Sequence, residues 1–92
     1  MKKRIVDRII ETGIVPVIRA PSAELATLAI DAVRAGGIDV IEVTMTVPGA
    51  VPLIESLVSR YGDKVVIGAG TVLDAETARA CTLGNGALIE RM

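Results

Sequence analysis

The sequence predicts an α/β fold built on a parallel sheet, and three observations carry that expectation. Short aliphatic runs alternate with amphipathic helical stretches, strand then helix, at a spacing of about 25 residues. The connections between them are short, which makes neighbouring strands parallel with right-handed crossovers. Hydrophobic residues make up 51% of the 92, yet there is one Tyr and no Phe or Trp. A core of Val, Ile, Leu and Ala suits buried parallel strands under Ala-rich helices. No side-chain motif recurs at that spacing, so the unit belongs to a barrel or a doubly wound sheet rather than a solenoid.

The elements follow in order. Residues 3–12 place Ile5, Val6, Ile9 and Ile10 at helical spacing with charges opposite, and Gly13 stops the helix. Residues 14–19, IVPVIR, read as a short buried strand whose Pro16 points to its N-terminal end or to a sheet edge. Ser22 is the expected N-cap of a second helix, with Glu24 in its first turn and Gly36-Gly37 at its end. Leu25, Leu28, Ala29, Ala32 and Val33 form its apolar stripe. IDVIEVT, residues 38–44, is the second strand. TVPGAVP leads into a third helix with Ile54, Leu57, Val58 and Tyr61 on one face, where Pro52 is tolerable only in the first turn. KVVIGAG, residues 64–70, is the third strand. Asp74 is expected to cap a helix over 75–83, Gly84-Asn85-Gly86 to turn, and ALIERM to begin a fourth strand.

Ninety-two residues make one small domain with a modest core, so 1–92 reads as a single unit. The net charge is −1 with Lys and Arg scattered, which argues against nucleic acid as a partner. The longest apolar runs fall far short of a membrane span, and the N-terminus lacks the apolar run and cleavage site of a signal peptide. A cytoplasmic location is the expectation. Without His the chain has neither the commonest general base nor the commonest zinc ligand. No metal or other cofactor is expected. Cys81, the single cysteine, reads as a small buried helix residue.

Ligands in parallel α/β folds bind at the C-terminal ends of the strands. Arg19, then Glu42, Thr44 and Thr46, then Gly68-Ala69-Gly70-Thr71 all fall at that end. A carboxylate within IDVIEVT faces a covered surface, where an unpaired charge is costly. One reading makes Glu42 a general acid/base whose pKa is raised by apolar surroundings. The other makes it a structural ion pair with Arg19 or another buried group. Arg19 is suited to a carboxylate or phosphate, or is a solvated strand-end charge. Glycines in GAGT allow close approach to the backbone, with Thr71 as a hydroxyl donor. Thr44 and Thr46 also read as ordinary strand and loop residues. No GxGxxG is present, so the dinucleotide fingerprint is absent.

GIVPVIRA (13–20), AGGIDVIEVTMTVPGA (35–50) and VIGAGTV (66–72), in this order and spacing, resemble the KDPG/KHG aldolases, which act on 2-keto-3-deoxy-6-phosphogluconate or 4-hydroxy-2-oxoglutarate. The resemblance covers roughly residues 1–80. It implies a partial (β/α)8 TIM barrel here: about three βα units, an N-terminal helix and a fourth-strand stub. It also implies a class I aldolase, a carbon–carbon lyase of carbohydrate metabolism, usually trimeric, that releases pyruvate and an aldehyde through a Schiff base. Glu42 matches the family's proton-shuttling Glu, and Thr71 matches the Thr that contacts the pyruvoyl group. The position two residues after Thr44, where many members carry an Arg, is Thr46 here; members with this T-x-T-V-P form carry an Arg in VxRA, which matches Arg19 and implies that it supplies the positive charge.

The family's Schiff-base lysine lies on a later strand, and the chain ends in GNGALIERM. Its own lysines are Lys2, Lys3 and Lys64, and Lys64 opens the third strand, about 15–20 Å from the proposed site. The isolated chain is therefore expected to be inactive. Three or four strands cannot close a barrel, so exposed edges should recruit a second copy or a complementary half. A non-catalytic assembly module is the competing reading. A flavodoxin-like phosphate binder fits poorly, because the first strand runs into RAPSAE rather than a glycine-rich loop.

Overall fold

The computed structural model describes residues 5–73, 75–83 and 88–91. Helix α1 (Ile5–Thr12) leads into β1 (Val17–Ile18), α2 (Ala23–Ala35), β2 (Val40–Thr44) and α3 (Ala50–Tyr61). A 3-10 turn (Gly62–Lys64), β3 (Val66–Val72), α4 (Ala75–Leu83) and β4 (Leu88–Arg91) follow. The four strands form one sheet in the order β1-β2-β3-β4, every pair parallel. Each strand lies beside its sequence neighbour, with one helix crossing over between them. This is the α/β arc of a partial TIM barrel, as the alternating pattern predicts.

Register sorts the side chains between two faces. Ile41 and Val43 of β2 pair with Ile67 and Ala69 of β3, and these four pack with Ala26 and Ile30 of α2 and Leu53, Ile54 and Leu57 of α3 in one cluster. That is the helix-covered face. Val40, Glu42 and Thr44, with Val66, Gly68 and Gly70, alternate onto the opposite face. In a closed barrel this face lines the interior.

The elements depart from the sequence expectation in three places. β1 is two residues long, not six, and Pro16 lies just before it at the sheet edge. The Pro16 carbonyl still accepts a hydrogen bond from the Glu42 amide (2.9 Å), so proline loses only the donor that an edge position does not use. β3 runs on through Thr71 and Val72, which places Gly70 and Thr71 inside the strand.

The third departure is the apolar stripe of α2. Leu25 and Leu28 are 50% and 65% exposed, Ala29 and Ala32 are exposed too, and the helix instead buries Ala26 and Ile30. Val33 alone of the expected stripe packs against the core. The helix is apolar around most of its circumference, so periodicity could not choose the face. Ala26, without a long side chain, lets the backbone come close to the sheet. In α1 the apolar Ile5, Val6 and Ile10 are exposed as well, although its charges lie on the opposite face. Ser22 does cap α2, its side chain accepting from the Leu25 amide at 3.2 Å. Pro52 falls in the first turn of α3, where its missing N–H costs nothing. The fourth strand forms as anticipated. Asp74 and the Gly84–Gly86 turn lie outside the described residues, as does the Cys81 side chain.

Candidate active site

The strand ends bring the predicted residues to one edge of the interior face. Glu42 is 4% exposed at the middle of β2, where its backbone pairs with Val17 on one side and Gly68 on the other. Its side chain leans along β3 rather than across to Gly68. A Cβ placed on Gly70 would lie 2.6 Å from Glu42 Oε2 and 2.7 Å from its Cδ. The carboxylate therefore rests over the bare Cα of Gly70, two residues further toward the C-terminal end. The space above that glycine is filled by Glu42.

The loop after β2 is tied to both neighbouring strands. The Met45 amide donates to the Gly70 carbonyl (2.8 Å), and the Val47 amide to the Thr44 carbonyl (3.2 Å). Thr44 is fully buried, its hydroxyl 3.4 Å from the Ile18 carbonyl and 2.6 Å from the hydroxyl of Thr46. Thr44 thus bridges the end of β1 to the exposed Thr46, which it orients. A hydroxyl can donate only one proton, so these two contacts share a single donor or run in sequence from Thr46 through Thr44 to Ile18.

Thr71 is half-buried and has φ +58°, the one non-glycine residue with positive φ among those described. A β-branched side chain in that region carries a conformational cost, typical of strain held at functional positions. The pairing of β3 with β4 shifts register between Ala69 and Val72, so the strain coincides with a bulge. The bulge re-aims the Thr71 side chain relative to regular strand geometry.

Arg19 follows β1 directly and is exposed. No ion pair joins it to Glu42 among the described residues. Lys64 is exposed at the start of β3, where its carbonyl accepts from Arg8 of α1 (3.0 Å). It stands at the opposite end of the strand from Gly70 and Thr71. No group of three or more His, Cys, Asp or Glu side chains is placed to hold a metal among the described residues. Sequence reasoning missed two supports: the Met45–Gly70 backbone bond, which has no side-chain signature, and the packing of Glu42 on Gly70, whose only trace is the small residue itself.

A buried carboxylate packed on Gly70, one residue before the strained Thr71, thus lies on the interior face of a parallel α/β-barrel arc. The KDPG and KHG aldolase family model matches residues 5–88, so the chain belongs to the KDPG/KHG aldolase family. Solved structures agree. The chain is similar to a native KDPGal structure, at 33% identity and a TM-score of 0.73 over 82% of this chain and 36% of that one. It is also similar to the KDPG aldolase of Legionella pneumophila with pyruvate captured at low pH as a covalent carbinolamine, at 33% identity and TM-score 0.72, over the same shares. A third is a cube-shaped protein cage designed by fusing symmetric oligomeric domains: 33% identity, TM-score 0.73, covering 82% of this chain and 28% of that one. The chain thus spans about a third of each of these structures. No curated protein matches the sequence. No helix among the described residues is long and apolar enough to cross a membrane.

Proposed function

We propose that the chain carries the proton-transfer portion of an aldolase site, within a carbon–carbon lyase that splits 2-keto-3-deoxy-6-phosphogluconate or 4-hydroxy-2-oxoglutarate into pyruvate and an aldehyde. The observation that supports this most is the burial of Glu42 at the strand end, against Gly70 and next to Thr71. In this reading Glu42 takes up and returns protons as the keto-acid carbon changes charge. Thr71 donates to the pyruvoyl group, Arg19 supplies positive charge for a carboxylate, and Thr44 and Thr46 orient the mouth of the site. The amine for Schiff-base formation comes from outside these 92 residues. Lys64 lies in the 3-10 turn before β3, six positions before Gly70 and about 20 Å away along extended chain, and cannot stand beside Glu42. The isolated chain is therefore inactive.

Borohydride reduction with pyruvate, followed by intact mass, tests this. The expected result is no adduct on the chain alone. A stoichiometric adduct on a mapped lysine would overturn the assignment of the amine to another part of the assembly.

The open sheet favours a second reading beside it, that of an assembly module. β1 is an edge with Val17 49% exposed, and Leu25 and Leu28 of the adjacent helix α2 are exposed as well. This surface needs a barrel-completing partner, a second copy or a complementary half. Leu28→Lys should weaken self-association at least severalfold in sedimentation velocity. An unchanged distribution would remove α2 from the contact. Pyruvate binding by the associated chain separates the two readings, since a pure assembly module would show none. The soluble setting of such an enzyme is the cytoplasm.

A further inference from the structure

Gly70 differs from Gly13, Gly37, Gly49 and Gly62 in a way that assigns it a task. Gly13, Gly37, Gly49 and Gly62 all have positive φ and nothing within 4 Å of where a Cβ would stand. They are glycines for backbone reasons. Gly70 is the reverse: its φ is ordinary for any residue, and a Cβ would meet Glu42 Oε2, Cδ and Cγ at 2.6, 2.7 and 3.1 Å. Its glycine is needed for space alone, and the occupant of that space is the buried carboxylate.

Neither partner is free to retreat. The Gly70 carbonyl is held by the Met45 amide at 2.8 Å, and the strand continues directly into the strained Thr71. Glu42 is anchored by its own amide on the Pro16 carbonyl at 2.9 Å and lies in register with Gly68. With both backbones fixed, the missing Cβ decides where along β3 the carboxylate can lie. We infer that Gly70 is a positioning residue, whose bare Cα seats the Glu42 carboxylate at the C-terminal strand end. A side chain at position 70 would expel the carboxylate from that seat. The inference deepens the aldolase reading of this site and, in its functional meaning, rests on it; the steric claim stands on the geometry.

The test uses the 92-residue chain and a small set of variants: Gly70→Ala, Glu42→Asp, Glu42→Gln and the two double variants with Gly70→Ala. Urea unfolding is measured for each, together with the pH titration of the side-chain carboxyl carbon of residue 42 by NMR in the variants that keep Glu42. Gly70→Ala should lower the folding equilibrium constant about 10- to 100-fold, the usual range for an overpacked methyl. The loss should persist in the Glu42→Gln background, because the amide has the same shape. It should largely vanish with Glu42→Asp, which is one methylene shorter. The titration midpoint of Glu42 should move in Gly70→Ala, because its carboxylate has left its seat. If Gly70→Ala alone does not fold, recovery of folding by the added Glu42→Asp change carries the same conclusion. An equal loss in all three backgrounds, with the Glu42 midpoint unmoved, would overturn the inference. Pyruvate added to the unaltered, associated chain keeps the two readings apart. Absent shifts at the Met45, Gly70 and Thr71 amides would sink the aldolase reading while steric coupling still upheld the positioning role.

Discussion

At the strand ends, Glu42 is 4% exposed and its carboxylate lies against the bare Cα of Gly70, where a Cβ would clash. On the outer layer, Asp31 of α2 has a side chain 36% exposed and is located by charge. It accepts the Tyr61 hydroxyl and lies 3.4 Å from Arg60 Nη1. The Tyr61 ring has the Arg60 and Arg34 guanidinium carbons 5.1 and 5.8 Å from its centre. Arg34 in turn reaches Asp39 at 3.1 Å, though not with hydrogen-bond geometry. Both regions hold a carboxylate beside apolar packing. The outer one is a latch between α2 and α3, built from solvated charges whose attraction water and salt weaken. The inner one is confined on the Gly70 side by van der Waals exclusion, which neither weakens.

The comparison can be broken most severely by removing what both regions stand on. Ile54 of α3 is fully buried in the core cluster that joins α2, α3 and the sheet. Ile54→Ala should cost about 2–5 kcal/mol, read from urea unfolding, and should loosen both regions together. A loss confined to one would mean that they do not share a core.

Two glycines sharpen it next. Gly70→Ala should cost about 1–3 kcal/mol through its clash with Glu42. Gly37→Ala, at φ +96° with open space around it, should cost about 1 kcal/mol through backbone strain alone. Changing Glu42 should alter the first cost and leave the second untouched.

The smallest effect belongs to the latch. Asp31→Asn should change stability by less than about 1 kcal/mol, and by less still in high salt. It should also shift a titration. The hydrogen bond to Asp31, followed by partial desolvation and the Asp31 charge, raises the Tyr61 pKa above 10.0. A raised folded-state pKa means that this contribution is complete below the unfolded value and is lost as pH rises through the folded one. Stability should thus fall above about pH 10, and the Tyr61 absorbance midpoint should drop toward its ordinary value in Asp31→Asn. An unmoved midpoint would show that Asp31 does not hold the phenol.

Much of the architecture was legible in residue order. Alternating aliphatic runs and helical stretches, with Ser22, Gly36 and Pro52 as punctuation, determined a parallel α/β arc, because local propensity and connection length agree there. The strand-end argument drew Arg19, Glu42, Thr44, Thr46, Gly70 and Thr71 together, because strand direction is fixed once the crossovers are parallel. Tertiary structure decided the rest. It turned Leu25 and Leu28 of α2 outward, since an apolar circumference offers no preferred side and only the sheet's position selects one. It extended β3 through Thr71 at the cost of a positive φ, which no local rule would choose for a β-branched residue. It also set Glu42 against Gly70, a contact between positions 28 residues apart in the chain. Such a contact depends on register and on the direction a side chain leans, and both are fixed only when the two strands pair.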